Sequence, residues 1–349
     1  MGLRIAFLLP SLAKTAPIII AANIIKHIKN ECDVVAVFYL KNEIGIDIEV
    51  PAHRLDFSVP FSFENFDVLH THMLKPDLYV RQHRKHIKCK TITTLHSFIH
   101  FDIFNNYTFP KNLIATMAWH RALWHHDAMV CLTNTMKKYY QARYPMKKIF
   151  VANNGLDIPK LTEELTPEEE QEFFEIKKKY QVIGTTSLLT KLKGLEIIIP
   201  FLQGNKNYFW YAAGSGKRLE SLKRKAIKAG VIDRCLFAGF KKNSLALYSH
   251  FDIFAFPSRS EGFGLSMAEA ALYKCPIVCS NIEVFRELFT DQEVSFFNLD
   301  DINSFCDAVT KLEQNPVSYG VKVHKRMQQC YTASHMAQTY LNIYKETIQ

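Results

Sequence analysis

Two glutamates lie eight positions apart in a segment with the composition of a strand, a turn and a helix. The segment is Asp252–Pro276, with the sequence DIFAFPSRSEGFGLSMAEAALYKCP. Glu261 comes directly before the turn and Glu269 falls in the second turn of the helix predicted to follow, so both side chains can face one cleft. Carboxylates there accept hydrogen bonds from hydroxyl groups, such as those of a sugar or a ribose. Paired glutamates near a helix start are also common on solvated surfaces.

The turn between the two glutamates is suited to bind an anion. Gly262 and Gly264 flank Phe263, and glycines allow a sharp turn and a close approach of the backbone to a ligand. The first N–H groups of a helix have no partner within the helix and carry the positive end of its dipole. We therefore expect the N–H groups from Phe263 to Met267 to face an anion, most simply a phosphate.

A strand and a helix must position these groups. Asp252–Pro257 is a short apolar run typical of a buried parallel strand. The helix is predicted to begin near Leu265 and to end around Lys274, because Pro276 cannot continue it. The turn would then lie at the carboxyl end of a parallel strand, where open α/β sheets bind their ligands.

Similar apolar runs alternate with helical segments along the whole chain, which predicts α/β domains with doubly wound parallel sheets. The length of 349 residues suggests two such domains. Thr166 and Pro167 predict a helix start in the segment that connects them. The predicted strands are Arg4–Leu9, Val34–Leu40, Val68–Thr71, Thr91–Leu95, Ala128–Leu132, Ile149–Ala152, Val182–Leu189, Tyr208–Ala213, Cys235–Ala238, Asp252–Pro257, Pro276–Ser280 and Val294–Asn298.

The glutamate pair, embedded as SEGFGLSMAEA, resembles the E-x7-E signature of the family 4 retaining glycosyltransferases. The resemblance extends over nearly the whole chain and implies the GT-B fold, two Rossmann-like doubly wound domains facing across a cleft. It implies an acceptor-binding domain over 1–158, a linker over 159–180 and a nucleotide-sugar-binding domain over 181–330. A helix over 331–349 would return to the first domain, and an apolar stripe at helical spacing supports it: Met336, Tyr340, Ile343 and Tyr344.

The resemblance also implies roles for the residues of the turn. Glu261 would contact hydroxyls of the donor sugar, and Glu269 would contact the ribose. The backbone N–H groups of Phe263, Gly264 and Leu265 would face the diphosphate. These groups would stabilise the negative charge that develops on the leaving diphosphate during sugar transfer.

Lys193, in the segment TKLKGL, matches a family lysine that grips the diphosphate. The family's partner arginine would stand five residues earlier, where this chain has Leu188. We expect Lys191 to supply the second charge from a shifted position; a weaker grip or impaired catalysis are the alternatives. Gly214, in a Gly-Ser-Gly turn, resembles the family's turn after the strand that carries the nucleotide base platform.

Residues of the first half also match cleft positions of the family. His96, in TLHSF, would lie near the donor sugar as a catalytic hydrogen-bonding group, although a histidine at a strand end is often structural. His72, in LHTHML, and Gly155, in FVANNGLD, would lie on the acceptor side, with a positive φ at Gly155 and Asp157 capping the next segment. The loop Pro10–Pro17 lacks the family's glycines, which argues against a tight approach of a phosphate there.

No metal site is expected. His120, His125 and His126 have no set of carboxylate partners nearby in sequence and are predicted to be structural, and no convincing Asp-x-Asp site is present. We therefore expect catalysis without a metal or other cofactor. The eight cysteines are scattered, as in a reduced cytoplasmic protein, and no apolar run is long enough to span a membrane.

The positive charge is concentrated in the first half. Residues 1–160 contain 20 Lys and Arg against 12 Asp and Glu, which accounts for +8 of the chain's net charge of +9. Lys75–Lys90 and Lys137–Lys148 are the most basic segments. They are either solvated helix faces or a surface for an anionic partner: a membrane face, an acidic acceptor or nucleic acid. Docking at the inner face of the cytoplasmic membrane is the favoured functional interpretation. No nucleic-acid motif accompanies the charge, so no nucleic-acid partner is expected.

The resemblance implies a retaining glycosyltransferase, hexosyl or N-acetylhexosaminyl, that uses a nucleotide sugar. UDP-sugars are favoured over GDP-sugars, and the acceptor would be a saccharide or a lipid-linked saccharide. The resemblance favours cell-surface polysaccharide or lipopolysaccharide synthesis. A catalytically weak partner subunit of another transferase and a GT-B sugar-nucleotide epimerase are the alternatives.

Overall fold

The computed structural model describes residues 2–106, 108–157, 164–241 and 243–349 of the chain. It contains two compact units, one formed by Met1–Asp157 with Cys330–Gln349 and the other by Ile158–Gln329. Residues 159–163, the first part of the predicted linker, lie outside the described residues, and the rest of that segment belongs to the second unit.

The first unit is built on a seven-stranded parallel sheet with the order β3-β2-β1-β4-β5-β6-β7. Its strands are β1 (Arg4–Leu9), β2 (Val34–Tyr39), β3 (Ala52–Arg54), β4 (Val68–His72), β5 (Lys90–Leu95), β6 (Ala128–Cys131) and β7 (Lys148–Val151). Its first five helices are α1 (Ala16–Ile28), α2 (Leu74–His83), α3 (Ile99–Asn106), α4 (Lys111–Leu123) and α5 (Asn134–Gln141).

The second unit contains a six-stranded parallel sheet with the order β10-β9-β8-β11-β12-β13. Its strands are β8 (Gln181–Thr186), β9 (Tyr208–Ala213), β10 (Cys235–Gly239), β11 (Ile253–Phe256), β12 (Ile277–Ser280) and β13 (Ser295–Phe297). Its helices are α6 (Pro167–Lys177), α7 (Ile198–Gly204), α8 (Leu219–Lys228), α9 (Ser244–Leu247), α10 (Leu265–Leu272), α11 (Glu283–Leu288), α12 (Ile302–Glu313) and α13 (Pro316–Cys330).

The last helix, α14 (Ala333–Ile348), belongs to the first unit although it is the last element of the chain. Its buried residues include the whole predicted apolar stripe, Met336, Tyr340, Ile343 and Tyr344. The segment before α14 also joins this unit, because Leu156 and Thr332 form a parallel bridge. The stripe was visible in the sequence because helical spacing puts its members on one face.

All twelve predicted strands form, with ends that differ by at most three residues. The short strand β3 was not predicted. Ala52–Arg54 lies at the edge of the first sheet, where β2 is its one neighbour among the described strands. Its side chains are exposed, so its sequence has no apolar pattern. The predicted start of α6 is confirmed, since Thr166 caps it and forms a reciprocal capping box with Glu169.

Each strand order reverses direction once, and this decides where ligands can bind. In the first sheet the reversal lies between the neighbours β1 and β4, and in the second between β8 and β11. Loops that leave neighbouring strands at such a reversal run to opposite faces of the sheet and leave a crevice at the carboxyl ends. The loops after β8 and β11 therefore define the candidate crevice of the second unit.

Candidate functional site

The two loops at the reversal of the second sheet carry the predicted catalytic charges. Lys193 lies in a short 3₁₀ turn after β8, and Glu261 lies in the loop after β11. Their side chains form a salt bridge, and only 22% of the lysine side chain and 12% of the glutamate side chain are exposed. The ammonium nitrogen of Lys193 also lies 5.3 Å from the centre of the Phe256 ring. The fold thus brings together two residues that are far apart in sequence.

Backbone contacts fasten these two loops to each other. The N–H of Arg259 donates to the carbonyl of Leu192 at 2.7 Å. Gly194 has a φ of +60°, and a Cβ atom at this position would lie 2.1 Å from the carbonyl oxygen of Pro257. Only glycine allows both the dihedral angle and the contact. The Lys193-Gly194 pair is therefore explained by the packing of one loop against the other.

The anion-binding turn begins helix α10, as the sequence predicted. Gly264 is the N-cap residue with a φ of +96°, and a Cβ there would lie 3.1 Å from ring carbons of Phe256 and Phe285. One part of the prediction is wrong: the N–H of Met267 donates to the carbonyl of Gly264 at 3.0 Å and is not directed at a ligand. The tight first turn of the helix takes this donor, which leaves the N–H groups before it, such as that of Leu265, for an anion.

Glu269 is held by a buried tyrosine that the sequence did not point to. The hydroxyl of Tyr248 donates to one carboxylate oxygen of Glu269 at 2.8 Å, and it is also hydrogen-bonded to the hydroxyl of Thr186 at the end of β8. Burial, together with the charge of Glu269, raises the pKa of Tyr248 well above its ordinary value, so this tyrosine remains a neutral donor. The contact fixes the orientation of the Glu269 carboxylate.

Gly214 lies beside the loop after β8. It has a φ of +134°, and a Cβ at this position would lie 1.9 Å from the carbonyl oxygen of Ser187. Its N–H donates to the carbonyl of Gly239 at 2.7 Å, and the next residue, Ser215, accepts from the N–H of Leu189 at 2.9 Å. The turn after β9 therefore packs against the same loop that carries Lys193.

The position of the missing family arginine is occupied by an exposed apolar side chain. Leu188 is 64% exposed, and Lys191 is exposed in the 3₁₀ turn that ends at Lys193. The structure adds a cation that the sequence did not indicate, because the N–H of Arg218 donates to the carbonyl of Leu189 at 3.0 Å. The guanidinium of Arg218 lies 3.5 Å from the carboxylate of Glu196. Two cations besides Lys193 thus lie on or next to this loop.

In the first unit, the buried His70 and His72 of β4 form a cluster with α14 and with the half-buried His96 that follows β5. His70 is hydrogen-bonded to the hydroxyl of Tyr344 at 2.8 Å and to that of Thr94 at 2.7 Å. Nδ1 of His72 lies 2.8 Å from Nε2 of His96, so the two predicted histidines are in direct contact. Burial lowers the pKa of His96 to about 4 and lowers the pKa values of His70 and His72 well below their ordinary range.

Of the three histidines predicted to be structural, His120 and His126 contact buried groups of this unit, whereas His125 is exposed. Nε2 of His126 lies 3.1 Å from the carboxylate of buried Asp77, which also accepts from the indole N–H of Trp119 at 2.7 Å. His120 is hydrogen-bonded to the hydroxyl of Tyr144 at 2.5 Å. Over the described ranges, no group of three or more His, Cys, Asp or Glu side chains is arranged to hold a metal ion.

Gly155 differs from the prediction. It does not have a positive φ; instead, a Cβ at this position would lie 2.1 Å from the carbonyl oxygen of Thr332. Its N–H donates to the sulfur of Met336 at 3.2 Å. Only glycine fits here, because the backbone of the segment before α14 passes directly against the backbone of Gly155. Asp157 pairs with Lys26 and His27 of α1, and the segment it was predicted to cap begins outside the described residues.

Helix α4 exposes several apolar side chains while it buries two polar ones. Asn112 and Thr116 are buried, while Ile114 is 63% exposed. From residue 103 to 156 the chain contains seven Lys and Arg and one acid, Asp127, which pairs with Arg84. We call the exposed apolar row the α4 stripe, and it consists of Leu113, Ile114, Met117 and Trp124.

The stripe continues beyond the helix. The ring of Trp124 packs against Tyr144 with ring centres 5.0 Å apart, and Met146, two residues further, is 89% exposed. The predicted basic segment Lys137–Lys148 covers α5 and this loop, and so lies beside the stripe. No helix within the described residues has both the length and the apolar composition needed to cross a bilayer.

Two family profiles match the chain. Residues 167–332 match the family described as glycosyl transferases group 1, and residues 50–160 match the one described as glycosyltransferase family 4. The first match contains Lys193, Glu261 and Glu269, and the second contains His72 and His96. The predicted site residues therefore lie within the parts of the chain that match these two families.

Curated relatives are named as glycosyltransferases, in agreement with the profiles. The O-antigen biosynthesis glycosyltransferase WclY of Escherichia coli is 28% identical over 349 residues, covering 98% of each chain. The lipopolysaccharide core biosynthesis mannosyltransferase LpsB of Rhizobium meliloti is 37% identical over 101 residues, 28% of this chain and 29% of its own.

Solved structures at lower identity share the fold. The crystal structure of Anabaena HepE in complex with UDP and glucose superposes with a TM-score of 0.80 at 15% identity, covering 99% of this chain and all of that one. WaaG, described as a glycosyltransferase involved in lipopolysaccharide biosynthesis, gives a TM-score of 0.73 at 14% identity, covering 97% and 99%. The chain has the GT-B fold and belongs to the glycosyltransferases that the two family profiles describe.

Proposed function

We propose that this glycosyltransferase moves a sugar from a nucleotide-sugar donor to a saccharide or lipid-linked acceptor in lipopolysaccharide or related cell-surface polysaccharide synthesis. The observation that carries the proposal is the arrangement of Lys193, Glu261 and the start of α10 on the two loops at the reversal of the second sheet. The names of its relatives, an O-antigen glycosyltransferase and a lipopolysaccharide core mannosyltransferase, support the pathway.

The diphosphate of the donor is proposed to bind at Lys193 and at the start of α10. When the bond from the sugar to the diphosphate breaks, negative charge develops on the leaving oxygens, and fixed donors that face this charge lower the barrier. Lys193 supplies a cation, and the backbone N–H groups of Phe263, Gly264 and Leu265 supply the positive end of the helix. An incoming diphosphate would compete with Glu261 for Lys193 and free that carboxylate to accept hydrogen bonds.

The two glutamates are proposed to contact different parts of the donor. Glu261 accepts hydrogen bonds from the sugar hydroxyls, and Glu269, already oriented by Tyr248, accepts them from the ribose. Gly214 lies in the turn next to the loop of Lys193, where the nucleotide would be bound. The sugar is proposed to keep its anomeric configuration, with the acceptor attacking the face that the diphosphate leaves. Lys193 and the N–H groups at the start of α10 are proposed to balance the charge on the diphosphate, so we propose that no metal is needed.

His96 is proposed to donate a hydrogen bond to a substrate oxygen, because its lowered pKa keeps the imidazole neutral at physiological pH. His72 and Gly155 were predicted on the acceptor side. His72 contacts His96 and Gly155 lies beneath Thr332, so we assign direct substrate contact to His96 and supporting positions to the other two.

Lys191 is proposed as the second cation of the diphosphate site. Its position two residues before Lys193 on an exposed turn allows it to reach a bound ligand. Lys191→Ala should weaken donor turnover, and Arg218→Ala, which removes the neighbouring cation, is the comparison. Unchanged turnover in Lys191→Ala together with a loss in Arg218→Ala would show that Arg218, and not Lys191, is the second cation of the diphosphate site.

The test of the donor proposal is calorimetric titration of the purified chain with UDP, GDP and ADP, first with magnesium and then with a chelator. We expect binding of one nucleotide in both conditions, with UDP favoured over GDP. Binding only in the presence of magnesium would contradict the metal-independent mechanism. The exposed Leu188 favours one alternative, a partner subunit of another transferase, and failure to bind any nucleotide would support it.

The anionic inner surface of the cytoplasmic membrane is proposed as a further partner. The α4 stripe and the neighbouring basic residues combine exposed apolar side chains with a strong excess of positive charge. Apolar side chains insert among lipid chains while basic residues contact anionic headgroups. Such docking would bring the enzyme to a lipid-linked acceptor.

A further inference from the structure

His72 and His96 share one hydrogen bond, and this contact determines which nitrogen of His96 carries its proton. Nδ1 of His72 lies 2.8 Å from Nε2 of His96. Burial keeps both rings neutral at physiological pH, because it disfavours the charged imidazolium. A neutral imidazole has one donor and one acceptor nitrogen, so one ring must donate in this contact and the other must accept.

The surroundings of His72 decide the direction of the bond. Its other nitrogen, Nε2, is buried and meets no protein donor or acceptor over the described ranges. The ring lies against Phe7 at 6.2 Å and 24°, and against His70 at 4.3 Å between ring centres. Both nitrogens of His70 are already engaged by Tyr344 and Thr94. A buried N–H without a partner is rarer and costlier than a buried lone pair without one.

The lower-energy arrangement therefore has the proton of His72 on Nδ1 and an unprotonated Nε2. Nδ1–H of His72 then donates to Nε2 of His96, and His96 must carry its own proton on Nδ1. The opposite arrangement would bury the N–H of His72 next to a phenyl ring with no acceptor.

We infer that His72 is a positioning residue that fixes His96 as the Nδ1–H tautomer, so that His96 presents a hydrogen-bond donor to an oxygen of the ligand. The groups that fit this donor are oxygen acceptors, such as a sugar hydroxyl or a phosphoryl oxygen. A ligand that offers only a donor at this point would meet an N–H group and be rejected. The inference rests on the proposed function for the identity of the ligand, but the tautomer does not depend on it.

The tautomer can be measured without any substrate. Two-bond ¹H–¹⁵N spectra of the full-length chain labelled in histidine distinguish protonated from unprotonated ring nitrogens, and His96→Gln identifies the His96 signals. We expect a protonated Nδ1 and an unprotonated Nε2 at pH 7. A protonated Nε2 in the wild-type protein would overturn the inference.

Two substitutions separate positioning from simple packing. In His72→Asn the amide nitrogen takes the place of Nδ1 and can still donate, so His96 should keep the Nδ1–H form. In His72→Leu the donor is lost, and His96 should shift to the Nε2–H form or a mixture. His83→Leu is the matched control, because His83 is another buried histidine of this unit that bonds the carbonyl of Phe57 and makes no described contact with the cluster.

Sugar transfer provides the second readout. We expect kcat/KM to fall about tenfold in His72→Leu, the value of one hydrogen bond, and to be largely restored in His72→Asn. An unchanged tautomer in His72→Leu would overturn the positioning role whatever the activity. An Nδ1–H tautomer in a protein that binds no nucleotide and transfers no sugar would support the inference and reject the proposed function, so the two failures are distinguishable. If His72→Leu does not fold, the wild-type spectrum still decides the tautomer, and His72→Ala, which also removes the donor, replaces His72→Leu in the test of positioning.

Discussion

The salt bridge of Lys193 and Glu261 joins the residue that would hold the leaving group to the residue that would hold the sugar. Both side chains are largely buried, so each charge depends on the other more than an exposed pair would. Replacing one partner leaves the other charge buried and unpaired. A single substitution here therefore changes both the electrostatics and the local structure, which makes Glu269 the cleaner residue for testing the donor site.

Glu269→Ala should weaken nucleotide-sugar binding about tenfold, because it removes the proposed acceptor of the ribose hydroxyls and costs roughly 1.4 kcal/mol. Calorimetric titration of the best-binding nucleotide would measure the change. Glu220→Ala, on the exposed surface of α8, is the control and should leave affinity unchanged. Equal affinity of wild type and Glu269→Ala would contradict the ribose assignment.

The buried histidines predict how the stability of the first unit depends on pH. The folded-state pKa values of His70, His72 and His96 are lowered, that of His96 to about 4, so the unfolded chain binds more protons between pH 4 and its ordinary histidine pKa of about 6.5. Stability rises with pH wherever the unfolded state binds more protons. The free energy of unfolding should therefore be largest above about pH 6.5, and it should fall as the pH is lowered toward 4.

Urea unfolding at pH 7, 6 and 5 would measure this dependence. His96→Gln removes one of the three groups and should reduce the slope, whereas His53→Gln, on the exposed edge strand β3, should not. A free energy of unfolding that is the same at pH 7 and pH 5 would show that these histidines are not buried as neutral groups.

At the scale of elements, the turn into α10 depends on the backbone of one residue. Gly264 combines a φ of +96° with two ring carbons 3.1 Å from the position of a Cβ. Gly264→Ala should destabilise the second unit by about 1–3 kcal/mol and lower donor affinity, because the strained turn displaces the N–H groups that face the anion. Thermal unfolding and nucleotide titration measure the two effects.

The chain offers a matched control for this substitution. A Cβ at Gly204, the last residue of α7, would meet no atom within 4 Å, and this glycine does not have a positive φ. Gly204→Ala should therefore be close to neutral in stability and affinity. Similar losses in both variants would mean that the turn is not the sensitive element.

The α4 stripe gives a prediction for vesicle binding. Replacing Ile114 and Met117 by serine should reduce sedimentation with vesicles that contain phosphatidylglycerol, since it removes the apolar side chains that would insert. Vesicles of phosphatidylcholine alone should bind less wild-type protein. Phe174→Ser, which removes an exposed apolar side chain of α6 in the second unit, is the control. Undiminished sedimentation of the double variant would exclude the stripe as the docking surface.

At the scale of the molecule, the C-terminal helix α14 packs into the first unit, with residues that are more than 170 positions away in sequence. The hydroxyl of Tyr344 in α14 is hydrogen-bonded to His70 in β4, and that of Tyr340 to Thr94 in β5. Both bonds are buried. Tyr344→Phe should leave Nδ1 of His70 without a partner and destabilise the first unit by about 1–3 kcal/mol.

Hydrogen exchange would locate this effect. Exchange should become faster in β4, β5 and α14 and remain unchanged in the second unit, which shares none of these bonds. Tyr319→Phe, in α13 of the second unit, serves as the control because the one hydrogen bond described for its hydroxyl is a long one, 3.4 Å to the carbonyl of Asp291. Faster exchange across both units in Tyr344→Phe would contradict a local role.

Much of the fold could be predicted from local patterns. The buried parallel strands are short runs rich in apolar or β-branched residues, so twelve strands were recognised, while the exposed three-residue strand Ala52–Arg54 has no such pattern. The start of α6 was predicted from Thr166 and Pro167 because capping is a local interaction. The first turn of α10 was predicted only in part, since the hydrogen bond that engages the N–H of Met267 depends on a backbone geometry that the residue types do not specify.

The sequence by itself determined the fold class and the residues at the carboxyl ends of the strands, because strand periodicity, turn glycines and helix starts are set by neighbours in the chain. The tertiary structure alone decided which of these residues meet. It joined Lys193 to Glu261, placed Tyr248 on Glu269 and set His72 against His96. It also showed that residue 155 must be glycine because the backbone of Thr332, which is distant in sequence, packs directly against it. Such contacts follow from the order of strands in a sheet, and no local pattern of residues encodes that order.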